Sequence, residues 1–305
     1  MKDYPLSLQY ALIGLDGQSS LQMTAAKSAV LRAVMAARLL EELFGDLTET
    51  EMGSIDVAEW KKRLENGLKA VCGMSKKETE ELERETAGFL KADRTLEEAP
   101  DLLGCDMNYY TSGVSLKVYR TVREIYLGIT ERLRAEVLEE GPLTLEAVCL
   151  LWLLRESECI HDLFSVEEQN TVQSRMMHAS SEQELYRVLW QTEFHSAWEQ
   201  FASGFLRDKK SLFRNPYLEG VNLLFPFLER RQAIFIDFVV LGSSVMSRRM
   251  EVMSFLCERG HYVEDVKFGD ETLLRIDNVY YRIFPKTVQV RSIPIQGICL
   301  IPAYR

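Results

Sequence analysis

From Gln22 the chain reads QMTAAKSAVLRAVMAARLLEELF, rich in alanine and leucine and free of proline and glycine until Gly45. This pattern predicts a helix from about Met23 to Phe44 with Gly45 as its stop. At 100° per residue, Lys27, Arg38, Glu41 and Glu42 fall on one side, whereas Arg32 points into the apolar part. Ahead of it, LSLQYALIGL is a short apolar run ending in Leu15-Asp16-Gly17-Gln18-Ser19-Ser20, where Asp-Gly is a hairpin signal and a return segment or helix entry follows. Residues 76–98, KKETEELERETAGFLKADRTLEE, read as a solvated helix with mixed charge pairs, and LLGCDMNYYTSGVSL as a strand or hairpin arm. Val118, Val122, Ile125, Ile129, Leu133 and Val137 recur every three or four residues, predicting a helix from about 118 that Gly141-Pro142 stops. Thr144 then caps a helix running through LLWLLRESECIHDLF, residues 150–164, with Arg155, Glu158 and Asp162 as its polar stripe. Further helices are expected at about 167–178, 181–206 and 217–229.

Near residue 233 the period shifts from helical to alternating. AIFIDFVVLG reads as a strand, SVMSRRMEVMSFLCERG as a helix, and YVEDVKF, TLLRI, VYYRIF, TVQVRSI and GICLIPA as short strands between turns such as Gly269-Asp270 and Asp277-Asn278. The expected architecture is a mainly α chain. A helical domain with short β-hairpins spans residues 1–225, and a small α+β module spans 230–305.

Composition sharpens this picture. The chain has 305 residues, 47% of them hydrophobic, and a formal net charge of -10. An acidic chain argues against nucleic acid as a partner, because phosphate neutralisation needs clustered Lys and Arg. It also weakens any broad attraction to anionic membranes. Charge is unevenly spread: residues 225–305 hold 11 Lys or Arg against 9 Asp or Glu, about +2, which leaves about -12 for the remainder. No apolar run is long enough for a signal peptide or a membrane span, so a cytoplasmic protein is expected. The six cysteines, scattered in apolar surroundings, read as free buried thiols rather than disulfides or a zinc site.

Candidate chemistry is sparse. Cys159 and His161 are two residues apart, which on a helix aims them to different sides. His161, His178, His195 and His261 lack a recognisable triad context, and no metal-ligand or nucleotide-binding spacing occurs. Trp190, Phe194, Trp198 and Phe201 form an aromatic stripe at helical spacing, around Glu193 and His195. Arg230-Arg231 and Arg248-Arg249 read as solubilising surface, or as phosphate ligands where they converge with backbone donors. Arg32 stands apart, because a guanidinium in an apolar helix must meet a carboxylate, cap carbonyls or line a cleft that receives an anion. No catalytic set, metal site or cofactor is expected.

Three stretches, LSLQYALIGLDG, VLRAVMAARLLEEL and LTLEAVCLLWLLRESECIHDLFSVEEQ, resemble the Golgi phosphoprotein 3 family. The likeness spans about residues 4–180, with Arg175 at a position often basic in that family. It implies a helical fold and recognition of phosphoinositide head groups at a membrane surface, with Arg32 on a head-group-binding arginine. The family's tryptophan position falls near Met23, and its further arginines fall in the acidic run EELERETAGFL, where Arg84 is a loose match. The resemblance implies a non-enzymatic binding or adaptor protein, peripheral to a membrane, holding anionic lipid through Arg32. The alternative is a protein-interaction scaffold whose C-terminal module docks a partner or a second copy.

Overall fold

A computed structural model describes residues 4–45, 55–106, 116–194, 233–237, 244–267, 273–290 and 293–303. Among these residues the chain forms nine helices, a two-stranded antiparallel ladder and a five-stranded antiparallel sheet. The mainly α architecture with a C-terminal α+β part is as expected. None of the helices among the described residues is long and apolar enough to cross a membrane.

The start of the chain corrects the hairpin reading: Leu6–Gly14 is a helix, α1. Tyr10, Leu12 and Ile13 are wholly buried, together with the polar Ser7 and Gln9. An element buried on nearly every side has no polar face, so its sequence carries no period to separate helix from strand. The Asp16-Gly17 turn is real but serves a different purpose. Gly17, at φ 77°, donates to Tyr119 O, and the chain bridges to Val118 through Ser19.

Helix α2 (Ala25–Phe44) begins at Thr24, whose side chain accepts from Lys27 N, and stops at Gly45. Its polar side is shared between neighbouring helices and water: Glu41 accepts from Ser7 N on α1, and Glu42 is exposed. Lys27 is buried and pairs with Glu83 at 2.7 Å, while Arg38 pairs with Glu85 at 3.0 Å. Helix α3 (Val57–Cys72) starts at Asp56, and α4 (Lys76–Ala92) at Ser75 and Glu78, which satisfy each other's backbone N–H groups. Helix α4 is therefore not simply solvated: Leu82, Thr86 and Leu90 are buried, and its carboxylates serve α2.

Strands β1 (Leu96–Pro100) and β2 (Lys117–Thr121) pair antiparallel, with a 3₁₀ turn at Leu102–Cys105 between them. The helix expected from 118 starts later, as α5 (Arg123–Leu138), because Val118 belongs to β2 and faces Ala99. Helix α6 (Leu145–Glu156) is capped by Thr144 as expected but ends well before residue 164. Glu158 takes a left-handed φ of 58° and Cys159 N returns to Leu154 O, closing the helix. Arg155, Glu158 and Asp162 thus share no helix. After a 3₁₀ turn at Ile160–Asp162 follow α7 (Val166–Glu182) and α8 (Glu184–Gln191). The helix expected at 181–206 ends at Gln191; its stretch beyond residue 194, the helix expected at 217–229 and Arg230-Arg231 lie outside the described residues.

The C-terminal part runs β3 (Ile234–Asp237), α9 (Val245–Glu258), β4 (Val263–Lys267), β5 (Leu273–Ile276), β6 (Val279–Val290) and β7 (Ile293–Pro302), in sheet order β3-β7-β6-β5-β4. VYYRIF and TVQV are one strand, not two. Pro285 sits past the end of β5, whose pairing with β6 stops at Arg282, so its missing N–H costs no bond on that side. Val252 and Leu256 of α9 pack on Ile236, Leu274, Ile276, Ile298 and Leu300. Leu102 and Cys105, from the 3₁₀ turn in the helical part, complete this second core.

Candidate functional site

The helical body and the C-terminal sheet meet at a buried polar junction. Its hub is Arg120 on β2, almost fully enclosed. Arg120 donates from Nε to Glu97 at 2.8 Å, and from Nη1 to Asp277 at 2.7 Å and to Gly260 O at 2.9 Å. Its guanidinium lies 4.2 Å from the centre of the Tyr262 ring. Asp277, in the turn between β5 and β6 at φ 53°, also accepts from Tyr262 N and from His261 Nδ1 at 2.8 Å. The next residue, Asn278, donates to Asp16 at 2.7 Å and to Thr121 O at 2.9 Å. The Asp-Gly turn after α1 is thereby fastened to the sheet.

On its other side His261 meets Cys105, with Sγ 3.9 Å from Nε2. A proton on Nδ1 satisfies Asp277 and leaves Nε2 to accept the thiol S–H. Cys105, His261 and Asp277 thus stand in the order of a thiol nucleophile, base and orienting carboxylate. The environment opposes that chemistry. Cys105 is 6% and His261 3% exposed, and burial pushes the thiol up to about 11, so it stays protonated near neutrality. Burial alone would raise the Asp277 carboxyl, but the His261 hydrogen bond and the Arg120 charge outweigh it and hold the group below its usual range. A cleft of about 40 Å³ lies beside Asn278, between Thr130 and Arg134 of α5 and Tyr280 of β6. At roughly 10–15 Å³ per water it has room for only a few waters.

Arg32 is half-buried on α2 and has an interaction partner. One and two turns back on its face are Ser28 and Ala25, both half-buried, and the loop leading into α2 carries Leu21, 61% exposed. Met23 is half-buried on the same loop, while Arg84 is exposed on α4. Arg175 closes the end of α5, donating to Glu136 O at 3.1 Å and Gly141 O at 2.6 Å. Cys159 is buried and donates to Ser157 O, whereas half-buried His161 lies beside Asp162. Among the described residues no group of three or more His, Cys, Asp or Glu is placed to hold a metal ion. Arg249, read as surface, is buried and pairs with Asp265 at 3.1 Å. In the aromatic stripe, Phe194 packs on Trp152 with ring centres 5.1 Å apart, and Trp190 stacks under Arg155; Trp198, Phe201 and His195 lie outside the described residues.

The junction was absent from the sequence reading. Its only local signal was the Asp277-Asn278 turn, since its hydrogen bonds join residues 15 to 262 positions apart. Compared with protein-family models, curated proteins and solved structures, the chain matches none.

Proposed function

We propose that this chain is a non-enzymatic, cytoplasmic binding or adaptor protein with a Golgi phosphoprotein 3-type helical fold, and that it takes an anionic phospholipid head group at the Arg32 face of α2. The observation that carries this reading is the setting of Arg32. It lies half-buried beside small residues, in a segment, residues 17–40, that contains no Asp or Glu. An anion reaching this face meets no fixed negative charge from its own segment, and exposed Leu21 supplies an apolar contact at the same end. The protonated, enclosed Cys105 supports a binding role over thiol chemistry.

Vesicle co-sedimentation at low salt tests the reading. The full chain is expected to pellet with vesicles containing phosphoinositide or phosphatidylserine and not with phosphatidylcholine alone. The Arg32→Gln variant is expected to lose about tenfold in binding, the worth of one charge-assisted contact of 1.5 kcal/mol or so. A wild-type chain that stays in the supernatant with every anionic vesicle sinks the proposal.

A second reading, a scaffold that docks a protein or another copy through the C-terminal part, is favoured by α9. Met246, Met250 and Cys257 recur at helical spacing there, all three are exposed, and Met250 reaches 61%. Light scattering on the full chain and on its Met250→Glu variant tests it: a monomer in both cases counts against self-association.

A further inference from the structure

Residues 278–305 form the longest stretch of the chain without an Asp or Glu, and Arg282, Lys286, Arg291 and Arg305 are its charged side chains. In a protein of net charge -10 this is a segregated stretch, and two of its cations, Arg282 and Lys286, lie on β6. Pairing with β5 covers only Val279–Arg282 of β6, and pairing with β3 covers only Gly297–Leu300 of β7. Beyond those limits the ribbon has no third strand among the described residues. Its edges are poor templates for another strand, because Pro285 and Pro294 offer no N–H and Lys286 adds charge.

The faces carry the information. Alternation places Arg282, Phe284, Lys286 and Val288 on one face of β6, opposite Ile301, Cys299, Gly297 and Ile295 of β7. The other face holds Ile283, Ile298 and Leu300, which join the core under α9. On the first face Phe284 is 44% exposed, Arg282 is exposed, and Val288, Ile295 and Lys286 are half-buried, Lys286 with an interaction of its own, whereas Gly297, Cys299 and Ile301 are buried. At Gly297 the face is closed by β3, because a Cβ there would stand 2.3 Å from Ile236 O and 2.6 Å from the Phe235 ring.

We propose that this ribbon face rests on the surface of an anionic phospholipid bilayer. Arg282 and Lys286 meet lipid phosphates, while Phe284, Val288 and Ile295 enter the interfacial layer. The inference builds on the lipid-binding reading and adds a second point of contact, independent of Arg32. Cations interleaved with exposed apolar side chains suit a bilayer, which satisfies both at once. A polynucleotide would gain little from two cations on an acidic chain.

Three full-length variants test it, each first matched to the wild type in thermal melting. With mixed phosphatidylcholine–phosphatidylserine vesicles, a Phe284→Trp chain is expected to show quenching by brominated lipid beyond that of the four native tryptophans of the wild type. Arg282→Glu with Lys286→Glu is expected to lower vesicle binding by about 25-fold or more, since each basic side chain near the surface is worth roughly fivefold. The third variant is Arg32→Gln. If it alone abolishes pelleting and the double reversal binds as wild type, the ribbon proposal falls and the Arg32 reading stands. The opposite pattern upholds the ribbon and removes Arg32. A wild type that ignores vesicles yet binds a single-stranded oligonucleotide through Arg282 and Lys286 overturns the proposal in favour of nucleic acid.

Discussion

Replacing Arg120 with methionine is expected to lower the free energy of unfolding by about 3–5 kcal/mol, because it strips the cation from an enclosed cluster and leaves Asp277 uncompensated. Arg120 serves Glu97, Asp277 and Gly260 O at once, so one deletion orphans groups on both sides of the junction. Removing Asp277 as well, as Asn, should cost clearly less than the sum of the two single changes, since the partners share one network. Acid provides a second readout. Asp277 titrates below its ordinary value of 3.8 in the folded state, so its stabilisation is complete above that value and fades as pH falls through the lower, folded one. Without Arg120 the depression shrinks, and acid unfolding should begin at higher pH. A loss under about 1 kcal/mol, with an unmoved acid transition, would class the cluster with ordinary surface ion pairs.

Trp152→Ala is expected to cost about 3–5 kcal/mol, the range for removing a wholly buried large aromatic side chain. The indole sits in the middle of α6 with no exposure, stacks obliquely on Phe194 and donates to Thr192 O at 2.8 Å. The segment it holds is also gripped from the end of the same helix. Arg155 donates to Trp190 O at 2.7 Å, and Glu156 accepts from Phe194 N at 3.0 Å. Trp152→Phe keeps most of the ring volume and loses one hydrogen bond, so about 0.5–1.5 kcal/mol is expected, because Thr192 O still accepts from Arg155 Nη2 at 3.3 Å. Urea unfolding of both variants decides the matter. Equal losses would mean that the hydrogen bond, rather than the filled volume, anchors residues 190–194.

How far the fold could be read from the chain depended on whether each element kept a polar side. Helix α2 was legible because Lys27, Arg38, Glu41 and Glu42 mark one face and Gly45 its end. Thr144 announced α6 in the same way, through a capping oxygen that its sequence position already implied. Helix α1 was illegible for the opposite reason, since burial around nearly its whole circumference erases the period. The late start of α5 reflects Val118 and Val122, valines that fit the helical spacing but continue a strand-forming run. The early end of α6 depends on a left-handed Glu158, a conformation that composition does not advertise. Arg32 stood out because it is the cation of α2 that the helical wheel sets among apolar positions. The Arg120 cluster was not, because each member is ordinary where it stands and acquires meaning only when distant turns converge.

The 3₁₀ turn at Leu102–Cys105 carries a consequence in time. It belongs to the first third of the chain but is buried among strands made last, and Asp106 beside it receives the N–H of Phe235, 129 residues later. During synthesis at about 5–20 residues per second, these side chains wait roughly 6–26 s for the first of those strands to leave the ribosome. Leu102 and Cys105 are therefore places where the nascent chain exposes unfinished core for many seconds, and where a chaperone that reads apolar segments has an interval to act.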